Sequence, residues 1–121
     1  MSILRKIAAP NALVLISDLH GGMPPDLMQG SLIAATSSCI AVGCMSDSNG
    51  PTEITLGSGQ DVGSRDNPAF EGELETPSKV VAVRTVLHET ILQAPVPCPR
   101  TKVRVWVNHP TEPDRVFIGV A

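Results

Sequence analysis

Aromatic residues are nearly absent from this sequence. Its 121 residues include one tryptophan, two phenylalanines and no tyrosine, and only 17% of them are charged, whereas soluble domains typically have about 25%. A hydrophobic core must therefore be built from aliphatic side chains. The length fits a single domain over residues 1–121, which can bury roughly two-thirds of its surface without disulfides or metals.

Long apolar runs and paired cysteine motifs are also missing. No run approaches the ~20 apolar residues of a membrane span, and no convincing cleavage site follows Arg5 and Lys6. Cys39, Cys44 and Cys98 lack metal-site spacing, and the first two would face opposite sides of one strand. We therefore expect free, buried thiols in a cytoplasmic protein with no membrane contact and no cofactor.

Positive charge is scarce. The net charge of −3 argues against nucleic-acid binding. The charges are also unevenly distributed, because residues 47–78 contain seven acids and one base, whereas residues 79–121 contain six bases and three acids. We expect the acidic middle and the basic end to neutralise each other across the fold.

Valine is abundant, and ten of the thirteen valines lie in residues 79–120. Valines at every second position in residues 101–108 predict a half-buried strand. Residues 114–120 repeat the alternation after a turn rich in proline. The two runs predict an antiparallel hairpin with one aliphatic face.

Other segments predict further strands and turns. Residues 12–16, 39–45, 52–56, 70–75, 79–87 and 90–94 have strand-like patterns. Asn49-Gly50 predicts a hairpin between the second and third of these. Residues 24–36 fit one short helix, although their last part also fits an extended chain. The fold expected is all-β, a small antiparallel β-sandwich with at most one short helix.

The predicted hairpin has a second face that could carry function. With its valines aligned, Trp106 lies opposite Arg115 and Arg104 lies opposite Phe117, so cations and aromatics alternate. Arginine stacks favourably on aromatic rings, and both Trp and Arg are enriched at binding hot spots. These four residues are a candidate binding surface for another protein or an acidic ligand. The alternative is that they pack beneath another segment.

A second candidate site follows the apolar run 12–16. Asp18 and His20, followed by Gly21-Gly22, resemble the first metal-binding motif of the calcineurin-like metallophosphoesterases. The resemblance implies a metal-dependent hydrolase in which Asp18 and His20 are ligands. It covers about seven residues, and the later motifs of that family are absent. Otherwise the two residues form a polar turn after a core strand.

Binding is the function that the sequence favours over catalysis. No nucleophile lies in a recognisable pattern with a base, so we expect a non-catalytic protein-interaction or ligand-binding module, with homo-oligomer formation left open. The run of strands is loosely similar to that of small all-β inhibitor or immunity-type proteins, such as competence nuclease inhibitors, although no specific motif carries the likeness. The metal-dependent hydrolase centred on Asp18 and His20 is the alternative.

Overall fold

Two five-stranded sheets pack face to face in the computed structural model, which describes residues 2–25, 31–58, 67–87, 89–109 and 111–120. The strands within these ranges are β1 (Ser2–Ile7), β2 (Leu13–Asp18), β3 (Ile33–Ala35), β4 (Cys39–Gly43), β5 (Thr52–Ser58), β6 (Phe70–Glu75), β7 (Val80–Thr85), β8 (Thr90–Pro95), β9 (Arg100–Val107) and β10 (Arg115–Val120). Single 3₁₀ turns occupy Pro10–Ala12 and Asp47–Asn49. The predicted all-β sandwich is confirmed.

The order of strands differs between the two sheets. The first sheet has the order β1-β5-β10-β9-β6, and the second has the order β3-β4-β2-β7-β8. All pairings in the described residues are antiparallel except that of β5 with β10, which is parallel. Because β5 and β10 are far apart in sequence, their parallel pairing joins the two halves of the chain in one sheet.

The core between the sheets is aliphatic, as the scarcity of aromatics predicts. Its largest fully buried side chains are Val14, Ile16, Ile40, Val42, Ile54, Leu56, Leu74, Val81, Val83, Val103, Val105 and Ile118. Each such side chain contributes about 1.5–3 kcal/mol relative to an exposed one. The alternation in residues 101–107 therefore points Val103 and Val105 inward, as expected for a strand with one buried face.

The predicted hairpin of β9 and β10 exists, but its predicted register is wrong by two residues. Trp106 lies opposite Phe117 and Arg104 opposite Gly119. A shift of two residues keeps the valines on the core face, so the hydrophobic pattern alone cannot distinguish the two registers. In the observed register the side chain of Asn108 closes the connection, because its Oδ1 accepts the N–H of Arg115 at 3.1 Å and its Nδ2 donates to Asp114 at 2.6 Å.

The hairpin predicted at Asn49-Gly50 is wrong. Strand β4 belongs to the second sheet and β5 to the first, so the chain crosses between the sheets at this turn. The crossing is held by the β9–β10 connection, where Pro113 O accepts from Met45 N at 2.9 Å and Asp114 O accepts from Glu53 N at 2.8 Å. Gly50 has φ +124°, which glycine adopts freely, so the turn signal itself is real.

Of the two alternatives for the last part of residues 24–36, the extended chain is the correct one, because Ile33–Ala35 forms β3 and not helix. Residues 26–30 lie outside the described residues. Strand β3 pairs with β4, and Leu32 O accepts from Gly43 N at 2.8 Å, so sheet pairing replaces helical bonds there. Within the described ranges, no helix has the length and apolar character needed to cross a membrane.

Candidate protein-interaction surface

An apolar row crosses the outer face of the first sheet. Strand register places Leu4 of β1 beside Thr55 of β5, Thr55 beside Phe117 of β10, and Phe117 beside Trp106 of β9. We call these four residues, of which Thr55 is the one polar member, the apolar row. Its inner members are covered, with Thr55 8% and Trp106 7% exposed, whereas Leu4 at the sheet edge is 54% exposed and Phe117 is half-buried. The accessible apolar surface of the row therefore lies towards β1.

Charged residues flank the apolar row. On one side Lys6, Glu53 and Arg115 are neighbours in register on β1, β5 and β10, and Lys6 Nζ lies 4.0 Å from Glu53 Oε2. On the other side Arg104 of β9 faces Glu71 of β6, with Nε to Oε2 at 2.7 Å. The outer face thus has an apolar strip between two charged borders.

The three glutamates of β6 explain much of the charge asymmetry in the sequence. Glu71 also lies 3.7 Å from Lys102 Nζ, and Glu73 lies 3.7 Å from Arg100 Nε. All of these groups are substantially exposed, so each ion pair contributes at most about 1 kcal/mol. The expected neutralisation of the acidic middle by the basic end is confirmed along β6 and β9.

The four residues predicted as a binding surface all lie on this outer face, but in a different arrangement. Trp106 packs beside Phe117 and not beside Arg115, so cations and aromatics do not alternate along the hairpin. Trp106 is buried, which makes it a packing residue beneath the surface and not an exposed anchor. The parts that a partner can reach are Arg104, whose side chain is 43% exposed, Arg115 and part of Phe117.

Strand β1 adds surface residues that its sequence does not single out. Ile3 and Leu4 are 43% and 54% exposed, and the Lys6 side chain is 65% exposed. Residues 2–7 lack a clean apolar–polar alternation, so they predict only a short segment that docks on the body. In the structure this segment forms the edge of the first sheet and extends the outer face by one strand.

The predicted metal ligands Asp18 and His20 lie at the end of β2 and in the turn that follows it, and the Asp18 carboxylate accepts hydrogen bonds from the protein itself. Asp18 is 2% exposed, and its Oδ1 accepts from the N–H and the hydroxyl of Ser78 at 2.9 and 2.6 Å. Its Oδ2 accepts from His20 N at 3.0 Å. Burial would raise the pKa of Asp18, but these hydrogen bonds outweigh burial and hold the pKa below its ordinary value. The carboxylate therefore joins the turn after β2 to the turn before β7.

No cluster of three or more His, Cys, Asp or Glu that could hold a metal occurs in the part of the chain that the structure describes. His20 is exposed and contacts Asp18 through its backbone N–H. The contacts of Asp18 match the polar-turn interpretation of the motif. His88, another histidine of the sequence, lies outside the described residues.

The cysteines differ in environment. Cys39 and Cys44 are buried, as expected, and Cys98 is exposed, so the prediction of burial is wrong for Cys98. Burial raises the pKa of Cys39 to about 11, opposed by the nearby Arg84 guanidinium, and raises the pKa of Cys44 to about 12. Both buried thiols therefore stay protonated at neutral pH. Cys98 lies among the prolines that follow β8.

Comparison with known proteins gives a fold likeness and no sequence match. No protein-family model matches the chain, and no curated protein matches its sequence significantly. The crystal structure of ComJ from Bacillus subtilis, an inhibitor of the DNA-degrading activity of NucA, is similar with a TM-score of 0.68 and 12% identity. The alignment covers 98% of this chain and 93% of ComJ. A protein described as crocagin biosynthetic gene J aligns with a TM-score of 0.47 at 12% identity, over 98% and 94% of the two chains.

Proposed function

We propose that this protein is an inhibitor-type protein-interaction module that binds a nuclease and blocks its activity. The observation that carries the proposal is the similarity to ComJ, an inhibitor of a DNA-degrading activity, over nearly the whole of both chains. Because the identity is 12%, the proposal concerns the type of function and leaves the partner of this chain to be identified by experiment.

The environment of the reactive side chains supports binding in preference to catalysis. The oxygens of Asp18 accept three hydrogen bonds, one from the turn after β2 and two from the turn before β7, and the pKa values of Cys39 and Cys44 are raised by burial. Groups held in this way stabilise the fold and are poorly placed to act on a substrate. The observations on Asp18 likewise give no support to the metal-dependent hydrolase.

We propose the outer face of the first sheet as the surface that meets the partner. Arg104 and Arg115 stand at its charged borders, and Leu4 supplies its exposed apolar patch. Trp106 and Phe117 support this patch from within the row. Stable protein interfaces combine an apolar centre with a polar rim and are enriched in arginine. A partner surface with acidic residues would complement the arginines.

We further propose that the protein acts in the cytoplasm. The three cysteines are free, and Cys98 is exposed. Exposed free thiols persist in the reducing cytosol, whereas oxidising compartments favour their pairing. The localisation of a tagged protein in the native cell tests this part of the proposal.

Purification of the protein from its native cell extract, followed by identification of any stoichiometric partner, tests the proposed function. The partner should be a nuclease, and addition of this protein at equimolar concentration should stop its degradation of DNA. Arg115→Glu should weaken the complex by about tenfold or more, because a reversed charge now faces the acidic partner. Lys79→Glu, which makes the same charge change at an exposed site before β7, should leave the affinity unchanged.

A partner without nuclease activity would overturn the proposed inhibition of a nuclease. Equal affinities of the Arg115 and Lys79 variants for the partner would overturn the proposed surface and leave the inhibition intact.

A further inference from the structure

In the part of the chain that the structure describes, the sandwich has four sheet edges, and three of them are protected against pairing with another chain. Strand β6 carries Glu71, Glu73 and Glu75 on its outer face. Strand β8 ends at Pro95 and is followed by Pro97 and Pro99, and none of these prolines can donate a backbone hydrogen bond. Strand β3 is three residues long. Acidic rows, prolines and short strands are the devices by which proteins block edges.

Strand β1 has six residues and neither proline nor an acidic row, and its charged residues Arg5 and Lys6 are both positive. All six of its residues pair with β5, and no other strand in the described ranges pairs with it. In an antiparallel pair, alternate residues direct both their N–H and C=O groups away from the neighbour, so half of the backbone groups of β1 point to its free edge. Ile3 and Leu4 beside this edge are 43% and 54% exposed. This edge is therefore suited to accept another strand.

An apolar cleft of about 490 Å³ lies beside β1, where the edges of the two sheets meet. Ile3 of β1, Leu56 of β5 and Val120 of β10 line one wall, and Ala94 and Val96 line the other. A strand added to β1 would direct alternate side chains towards this cleft, because side chains alternate between the two faces of a sheet. The cleft therefore selects an apolar side chain next to Ile3.

Charge determines which strand fits. On the outer face Lys6, Glu53 and Arg115 lie side by side on β1, β5 and β10. Positive and negative side chains therefore alternate from the edge of the sheet inward. An acidic residue beyond Lys6 would continue the alternation. The guanidinium of Arg5 donates to Ile91 O at 3.3 Å and adds a second positive charge near the edge. A second copy of this chain paired through its own β1 would offer Lys6 no acidic neighbour, because residues 2–7 contain no acid.

We propose that the free edge of β1 recruits an extended segment of the partner protein as an added antiparallel strand. The segment places an acidic residue opposite Lys6 and apolar residues opposite Leu4 and Ile3. Backbone hydrogen bonds to β1 supply affinity, and the cleft and Lys6 supply selectivity, as in other cases of strand addition. This proposal rests on the proposed function, since it describes how the protein partner docks.

A short peptide tests strand addition without the whole partner. The probe is acetyl-Thr-Glu-Thr-Leu-Val-Thr-amide, in which Glu, Leu and Val would face Lys6, Leu4 and Ile3. Titration of the isotope-labelled protein with millimolar peptide should shift the amide NMR signals of β1 and β5. Lys6→Glu should weaken binding about fivefold, the scale of an exposed ion pair. A second peptide, with Lys in place of Glu, should bind the Lys6→Glu variant at least as tightly as the first peptide binds that same variant.

Two controls distinguish strand addition from non-specific electrostatic attraction between the peptide and the protein. Lys102→Glu makes the same charge change on the outer face at the opposite side of the sheet, and it should leave peptide binding unchanged. The second control is a pair of peptides N-methylated at the two alternate sets of positions. One of them should lose binding and the other should retain it, because alternate amides face the same edge.

The proposal is overturned if the peptide causes no shifts in β1 and β5, if both methylated peptides bind, or if Lys6→Glu and Lys102→Glu have equal effects. Assembly of the protein into dimers through β1, detected by concentration-dependent shifts of the β1 amide signals without peptide, would also overturn it. These failures leave the proposed function standing whenever the whole nuclease partner still forms a complex. Absence of any nuclease partner, with peptide binding intact, would instead overturn the proposed function alone.

Discussion

Replacement of Trp106 by alanine tests whether the outer face of the first sheet is held together by its apolar row. Trp106 is the only tryptophan, is 7% exposed and lies opposite Phe117 in the β9–β10 ladder. The substitution removes a large buried ring from the outer side of β9 and leaves the inward-facing Val103 and Val105 in place. Truncation of a buried tryptophan typically costs about 3–5 kcal/mol.

That loss is large relative to the whole stability of a small domain, which is about 5–15 kcal/mol. With a urea m-value of about 1.5 kcal/mol per molar for a small domain, the unfolding midpoint should fall by roughly 2–3 M. The melt should be followed by far-UV circular dichroism, because the variant lacks the only tryptophan that fluorescence could report. Val105→Ala is the matched control on the same strand, and it should cost about 1–3 kcal/mol through the core.

A loss of less than about 1 kcal/mol of stability in Trp106→Ala, with Val105→Ala destabilised as expected, would contradict a packing role for Trp106. Trp106 would then be an accessible group that packs weakly on its neighbours. If the same variant also bound the partner more weakly by about 2 kcal/mol, Trp106 would be a binding hot spot and not a support beneath the surface.

Three further predictions concern the turn after β2 and the cysteines. Because the pKa of Asp18 lies below its ordinary value of 3.8, its carboxylate stabilises the fold above that value, and the stabilisation is lost as pH falls through the lower folded-state pKa. Asp18→Asn should therefore lower the free energy of unfolding by about 1–3 kcal/mol at neutral pH, and its stability should fall less steeply than that of the unchanged protein as the pH becomes acidic. An equally steep fall in both proteins would contradict a stabilising role for the Asp18 carboxylate. No Mn²⁺-dependent hydrolysis of generic phosphodiesters should be detectable, and a robust rate abolished by both Asp18→Asn and His20→Ala would show the opposite. A thiol reagent should modify Cys98 alone in the native protein and all three cysteines after unfolding, whereas rapid native modification of the other two would contradict their burial.

The fold class follows from the sequence because period-two alternation of β-branched residues is a local signal. Residues 101–107 and 115–120 contain it in full, so their strands and their inward faces are predictable. The exposed acidic row of β6 and the edge position of β8 are predictable for the same reason, since glutamates and prolines mark which strand sides avoid pairing.

Which strands pair, and in which register, cannot be read from local sequence patterns. The wrong predictions concern these two properties. The parallel pairing of β5 with β10 brings together residues more than fifty positions apart, and it draws β5 away from β4 despite the Asn49-Gly50 turn signal. The register of β9 and β10 places Asn108 where its side chain bonds to Asp114 and Arg115, and hydrophobic patterning does not specify such bonds. The four predicted surface residues could therefore be placed on one face but not beside their correct neighbours.

Strand β1 could not be predicted from the sequence for a different reason. An edge strand with exposed residues on both sides has no alternation to detect, so residues 2–7 become recognisable as surface only after β5 is known to pair with them. The burial of Trp106 is likewise a tertiary property, because its covering depends on which residues become its neighbours in the sheet.

We propose above that this protein inhibits a nuclease by binding it. The most direct measurement is the rate of DNA degradation by the nuclease that copurifies from native extract, titrated with this protein in increasing amounts. The claim predicts that the rate falls linearly and reaches zero near one equivalent, as in stoichiometric tight binding. A rate that stays unchanged at a large excess of this protein, although the two proteins copurify, would contradict it.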